Sequence, residues 1–227
     1  MKARNKLNFR PEHIRESTTR EKVLKNIRHA LIETSENPFP DIDFESEIYK
    51  PMTEEADINF AIEFAKLGGK FVFCDSASDM LLKVQAVFNE NGWSEAFCNE
   101  ASLSGLLNHA GIKVKPADWN AELMSVAVTS CEFLIARLGS ILMSSKQLSG
   151  RRLYAFPDVH IVIAFTSQIV PDIKQALTAI RAKYAGKMPS MVTLVSGPSR
   201  TADIEKTLVM GAHGPKELYV FLADNIT

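Results

Sequence analysis

Residues 159–165 read VHIVIAF, six apolar side chains out of seven with four of them β-branched. A strand with one wet face alternates apolar and polar residues; this one does not, so both of its faces are expected to be buried, as in a parallel sheet covered on two sides. His160 inside such a run reads as a core residue with a hydrogen-bond partner. Working outward, Pro171 opens a helix that carries Ile173, Ala176, Leu177, Ile180 and Tyr184 on one stripe and ends at Gly186. Residues 191–195 and 218–222 are short apolar strands, with a helix expected from about Thr201 between them. On the other side, residues 125–128 and 140–144 are strands flanking a turn of helix in SCEFLIAR. Ser149-Gly150 looks like a hairpin turn leading into a strand at 153–156.

The first half repeats the alternation. A helix over 61–67 closes at Gly68-Gly69, and residues 70–74 form a strand. Ser76 then caps a helix bearing Met80, Leu81, Val84, Val87 and Phe88, which ends at Gly92. A strand at 95–98, a helix at 102–109 and a strand at 112–115 follow. Alternating strands and helices give an α/β fold, with a Rossmann-like mixed, mostly parallel sheet and helices on both faces. Before it, Thr18 and Glu21 have the spacing of a capping box, and Val23, Leu24, Ile27 and Leu31 recur at helical intervals. The chain therefore divides into an N-terminal helical arm and linker, residues 1–52, and an α/β domain, residues 53–227.

Bulk properties narrow the function classes. The 227 residues are 46% hydrophobic and 23% charged, with a formal net charge of −1, which argues against a general nucleic-acid binder. Charge is uneven: residues 1–30 hold nine Lys or Arg against three Asp or Glu, and residues 31–57 hold nine acids against Lys50. That split reads as a solvated arm or as a docking arm for a partner. Cys74, Cys98 and Cys131 lie far apart with no CxxC pair, so no zinc ribbon or cysteine-ligated iron–sulfur cluster is expected on this chain, and no metal site. No run reaches the ~18 apolar residues of a membrane span, and the first residues lack a signal-peptide core, so a cytoplasmic location is expected.

The stretch with most chemical content is 196–215, SGPSRTADIEKTLVMGAHGP. An apolar run feeds a Gly-Pro turn and an expected helix start, an arrangement that places backbone N–H groups and a guanidinium at a strand end. Gly197, Ser199, Arg200 and Thr201 are candidate ligands for a small carboxylate or phosphate, because Gly admits close backbone approach and Arg pairs with such anions in bidentate fashion. Asp203 and Glu205, expected in the first helical turn, and His213, on the loop that includes Gly214, are the candidate catalytic residues. The same carboxylates also suit a well-capped helix, and His213 also suits a loop histidine bonded to backbone. No GxGxxG after a strand, GxxxxGK[ST], GxSxG or HExxH occurs.

SGPSRTADIE, GAHGP and KELYVFLAD, together with FPDVHIVIAF and VTSCEFLIARLGS upstream, resemble the lactate-utilisation (LUD) domain family, in its protein C branch. The resemblance implies the fold shared by sugar-phosphate isomerases and CoA transferases. It also implies a place in a cytoplasmic system that oxidises lactate to pyruvate with iron–sulfur partner subunits, this chain carrying no cofactor of its own. Related domains usually read Ala-Glu-Thr-Gly-Thr where this chain has Ala136-Arg137-Leu138-Gly139-Ser140. Arg137, Gly139 and Ser140 are then candidate ligand-binding residues in a pocket made more basic, and the departure implies an altered substrate, a purely structural subunit, or compensation by Glu132 nearby. Two other readings stay open: a stand-alone enzyme acting on an acyl-CoA or sugar phosphate, and a non-catalytic module that binds a small anion.

Overall fold

A computed structural model of the chain describes residues 18–32, 39–43, 51–117, 124–202, 208–210 and 214–224. Its contacts cluster into two units, residues 1–50 and 51–227. In the first, α1 (Thr19–Ile32) opens with a reciprocal capping box. The Glu21 N–H donates to Thr18 Oγ1 and the Thr18 N–H donates to Glu21 Oε2 at 2.8 Å. Val23, Leu24, Ile27 and Leu31 form the periodic stripe, and all four are exposed.

The second unit is built on a six-stranded sheet in which every pairing is parallel. Its strands are β1 (Lys70–Cys74), β2 (Glu95–Phe97), β3 (Lys113–Lys115), β4 (Val126–Ser130), β7 (Val159–Phe165) and β12 (Glu217–Ala223), lying in the order β1-β12-β7-β4-β2-β3. Alternate residues of the central strands feed two cores. Val159, Ile161 and Ile163 with Tyr219 and Phe221 pack on α3 (Ala77–Glu90) and α4 (Ala101–His109). Val162, Ala164, Val220 and Leu222 pack on α2 (Ala56–Lys66) and on a second sheet. His160 is fully buried, as expected of a core residue, but only half satisfied. Its Nε2 meets Thr129 Oγ1 at 2.9 Å while Nδ1 has no partner, and burial pushes its pKa down to about 3, so it is neutral.

That second sheet has the order β8-β5-β6-β9, from β8 (Ile169–Val170), β5 (Phe133–Ile135), β6 (Ser140–Ser144) and β9 (Val192–Val195). The β5–β6 and β6–β9 pairs are antiparallel, which makes the whole fold mixed. Its far face carries α6 (Ile173–Lys183), where Ile135 and Leu142 meet Ala176 and Ile180. Asp172 caps α6, accepting from the Lys174 N–H at 2.8 Å.

Three local expectations are corrected. SCEFLIAR is not a turn of helix throughout. Phe133–Ile135 pairs with Ser140–Leu142 as a strand, because its alternating side chains serve opposite faces, Leu134 toward the parallel sheet and Phe133 and Ile135 toward α6, and a 3-10 turn is left only at Ala136–Leu138. Residues 153–156 are not a strand after a hairpin; Arg152–Ala155 is a short helix, α5, that buries Leu153 and Tyr154. Nor does a helix start at Thr201: β10 (Arg200–Ala202) pairs antiparallel with β11 (Leu208–Met210).

The 3-10 turn is locked against α2. Gly139 has φ +56°, and a Cβ there would fall onto the backbone of Glu63 and Phe64. Gly139→Ala therefore combines a left-handed backbone penalty with displacement of α2, and should cost more than ~2 kcal/mol. Thermal and denaturant unfolding of the variant checks this; an unchanged melting temperature contradicts the packing.

Candidate functional site

Of the residues singled out from the sequence, Gly139, Gly197 and Arg200 lie against the C-terminal part of α2 and Leu67. By register, Ser140 opens β6 opposite the residue that follows β9, and Ser140 Oγ meets Ser196 Oγ at 2.8 Å. Gly197, with φ +82°, lies against Leu67; a Cβ there would be 2.6 Å from the Leu67 carbonyl oxygen. The Arg200 guanidinium donates from Nη2 to that same oxygen at 2.8 Å. One of its five donors thus caps the last turn of α2, a favourable place for a cation. The Ser199 N–H donates to Pro215 O at 2.8 Å, which brings Gly214 onto the Ser199 side chain. Arg137 is half-buried in the 3-10 turn, with its N–H on Pro171 O at 3.1 Å, and Asn59 Nδ2 donates to Ala136 O at 3.0 Å.

Asp203, Glu205 and His213 lie outside the described residues, as does the side chain of Thr201. The location itself differs from expectation. Gly68 and Gly69 precede β1, and Gly214 and Pro215 precede β12. The SGPSR turn therefore flanks the amino ends of the parallel strands, whereas ligands of open α/β sheets bind beyond the carboxyl ends. It follows the carboxyl end of β9, but β9 belongs to the other sheet.

At the carboxyl ends of the parallel strands the structure assembles a different cluster. β2 and β4 are neighbours whose following segments diverge. After β2, α4 packs with Leu103 and Leu107 on the α3 face; after β4, Cys131 and Leu134 pack on the opposite face. This is a topological switch point, where a crevice forms between strand ends. Glu100 and Ser130 meet there: the Ser130 N–H donates to Glu100 Oε1 at 2.9 Å, and Ser130 Oγ donates to Oε2 at 2.6 Å.

From Ser130 a chain of hydrogen bonds runs to a second carboxylate. Gln147 Nε2 donates to Ser130 O at 3.1 Å, and Gln147 Oε1 accepts from the Ser144 N–H at 2.8 Å. Ser144 Oγ donates to Glu132, which also accepts from Lys183 Nζ at 2.6 Å and from Tyr184 Oη at 2.6 Å. Lys146 lies 4.5 Å over the Tyr184 ring. Burial alone would raise the Glu132 carboxyl, but the bonds from Lys183, Ser144 and Tyr184 outweigh it, and the group sits below its ordinary 4.5. Lys183 is held above its ordinary value: burial opposes the shift, and the Glu132 partner more than offsets it. Glu132 is therefore ionised, and its carboxylate is committed to Lys183, Tyr184 and Ser144 rather than to the turn at 136–140. It does not substitute there for an acid at position 137.

The three thiols are all buried. Burial pushes Cys74 up to about 11 and raises Cys98 and Cys131 as well, so all three are protonated at neutral pH. Among the described residues no three His, Cys, Asp or Glu side chains converge as a metal site. Also among the described residues, no helix is long and apolar enough to cross a membrane.

The sequence held one signal for this cluster: polar residues follow apolar strands at NE after residue 98 and at SCE after residue 129. That β2 and β4 are adjacent, and that Lys183 and Tyr184 return to Glu132 from some fifty residues downstream, is visible only in the fold.

Residues 59–223 match the family model of the LUD domain. Lactate utilization protein C 1 of Bacillus mycoides (strain KBAB4) is 33% identical over 140 residues, which cover 60% of this chain and 59% of that protein. Lactate utilization protein C of Bacillus licheniformis is 36% identical over 140 residues, covering 55% and 58%. The match thus spans a little under three fifths of the length of these curated relatives. A crystal structure of a DUF162 family protein from Deinococcus radiodurans superposes with a TM-score of 0.60 at 21% identity, covering 76% of this chain and 99% of that one. It shares the fold.

Two outcomes follow from the geometry. The Glu132 carboxyl lies lower folded than unfolded, so its contribution to stability is present above about 4.5 and is lost as pH falls through the folded value. Glu132→Gln should lose ~1.5–3 kcal/mol near neutrality and flatten the acid limb of a melting-temperature-against-pH curve. A parallel pair of curves contradicts this. Arg200→Ala should lower stability by ~0.5–2 kcal/mol through the uncapped end of α2. Urea unfolding reads that loss, and no loss means the Leu67 contact contributes nothing.

Proposed function

The chain belongs to the LUD domain family, and from that premise we propose that it serves lactate utilisation, as a cytoplasmic component of a system that oxidises lactate to pyruvate. The observation that carries this reading is the series of curated relatives named Lactate utilization protein C. In the proposed arrangement the electrons pass to iron–sulfur clusters held by partner subunits. This chain contributes binding or a non-redox step. Its dispersed cysteines support that division of labour, since a cluster needs several thiolates in one place and, among the described residues, none converge.

Within this reading the two ends of the parallel sheet have different roles. At the amino ends, the SGPSR turn, the 3-10 turn and Gly214 hold α2 in place, and among the described residues one of the five Arg200 guanidinium donors is engaged, so the others can meet a carboxylate or phosphate. At the carboxyl ends, the segments after β2 and β4 gather acids, hydroxyls and an ammonium, the groups with which an α/β enzyme handles a small polar ligand.

Deleting the coding sequence in the native host should abolish growth on L-lactate while leaving growth on pyruvate intact. Re-expression of the full chain should restore it. Unimpaired growth on lactate overturns the proposal.

A further inference from the structure

Two acidic residues, Glu100 and Glu132, are buried among the described residues, and only one is neutralised. Glu132 has Lys183 at 2.6 Å. Glu100 is nine-tenths buried and its carboxylate is held by the Ser130 N–H and the Ser130 hydroxyl alone, both neutral, with no cation paired to it among the described residues. Its position sharpens the contrast. It stands at the switch point between β2 and β4, where the two chain paths part.

A carboxylate offers about four lone-pair sites, and Ser130 fills two of them. The Ser130 hydroxyl proton points to Glu100, and its oxygen accepts only a long bond, from Gln147 Nε2 at 3.5 Å. The Glu100 end of this cluster is therefore rich in acceptors and poor in donors, so a hydroxyl fits and a carboxylate or phosphate placed on Glu100 is repelled. Further along the network the balance reverses. Lys183 is half-exposed and gives Glu132 one of its three donors, and Lys146 lies over Tyr184, so two cations offset the two acids and an anion is not excluded from the crevice as a whole.

We propose that the carboxyl ends of β2 and β4 part into a crevice that binds a small hydroxy acid, whose hydroxyl donates to the Glu100 carboxylate while its own carboxylate turns toward the Lys183 side. The choice of a hydroxy acid rests on the lactate-utilisation reading; the polarity of the site rests on Glu100 and Ser130. Glu100 is then a specificity residue, because an acid without the hydroxyl leaves a buried carboxylate with unfilled acceptor sites. The competing role is purely architectural, with Glu100 tying the start of α4 to the end of β4.

The test is calorimetric titration of the full chain with L-lactate and with propionate, which has the same charge and lacks the hydroxyl. The wild type should bind lactate about tenfold or more tightly than propionate, the discrimination expected of one hydrogen bond to a charged group. Glu100→Gln should bind the two acids alike. Ser130→Ala, which leaves the carboxylate in place, should keep the preference for lactate. A second measurement on the wild type needs no variant: lactate, but not propionate, should shift the Ser130 and Glu132 amide resonances. The proposal is overturned if the wild type binds both acids alike or binds neither. It is also overturned if Glu100→Gln keeps the preference, or if the shifts centre on the SGPSR turn. A failed titration with lost growth on lactate removes this site and leaves the functional reading standing; retained growth removes that reading independently.

Discussion

The parallel pairing of β7 with β12 over seven consecutive positions is the constraint on which the rest of the molecule depends. Both strands are apolar on both faces, so each face must be roofed. One roof is helical, from α3 and α4. The other is α2 together with a second sheet, itself backed by α6. Parallel strands cannot be joined by tight turns, and the long crossovers that they require supply all of these roofs except α2, which precedes β1. The segment between β4 and β7 carries β5 and β6, and the segment between β7 and β12 carries α6 and β9. One connection requirement thus generates the second sheet.

Those crossovers also explain why the two ends of the parallel sheet differ in character. At the amino ends, chain segments converge on the last turn of α2, and the contacts are those of closure: a guanidinium on a helix-end carbonyl, a glycine where no Cβ fits, a serine N–H on a proline carbonyl. At the carboxyl ends, the segments after β2 and β4 depart to opposite faces and leave their first polar residues in the gap. Convergence yields a clasp, and divergence yields a crevice.

Electrostatics follow the same division. Moving a carboxylate out of water is costly unless it is paired and hydrogen-bonded. Glu132 meets that requirement with an ammonium, a phenol and a hydroxyl. Glu100, one strand over, is satisfied among the described residues by neutral donors alone, although the two acids are linked through Ser130, Gln147 and Ser144. His160 shows the alternative solution for a buried ionisable group: with one nitrogen on Thr129 and no opposite charge, it is held neutral.

Much of the fold was legible in the sequence, because it is written in short-range patterns. The VHIVIAF run declared a doubly buried strand, Ser76 and the Thr18–Glu21 pair marked helix starts, and the apolar stripe after Pro171 marked α6. The misread segments are those where tertiary contacts outweigh local preference. FLI in SCEFLIAR became a strand because β6 was there to pair with it, and 153–156 became a helix that buries Leu153 and Tyr154. Residues 200–202 became a strand through their partner at 208–210. The sequence by itself determined the alternation of elements, the two-faced burial of the central strands and the family, since each of these rests on residue spacing along one chain. Strand order was decided only by the tertiary structure. It placed the SGPSR turn at the amino ends and joined Glu100 to Ser130 across thirty residues and Glu132 to Lys183 across fifty-one, because adjacency in a sheet is set by which faces can be covered together and leaves no trace in local spacing.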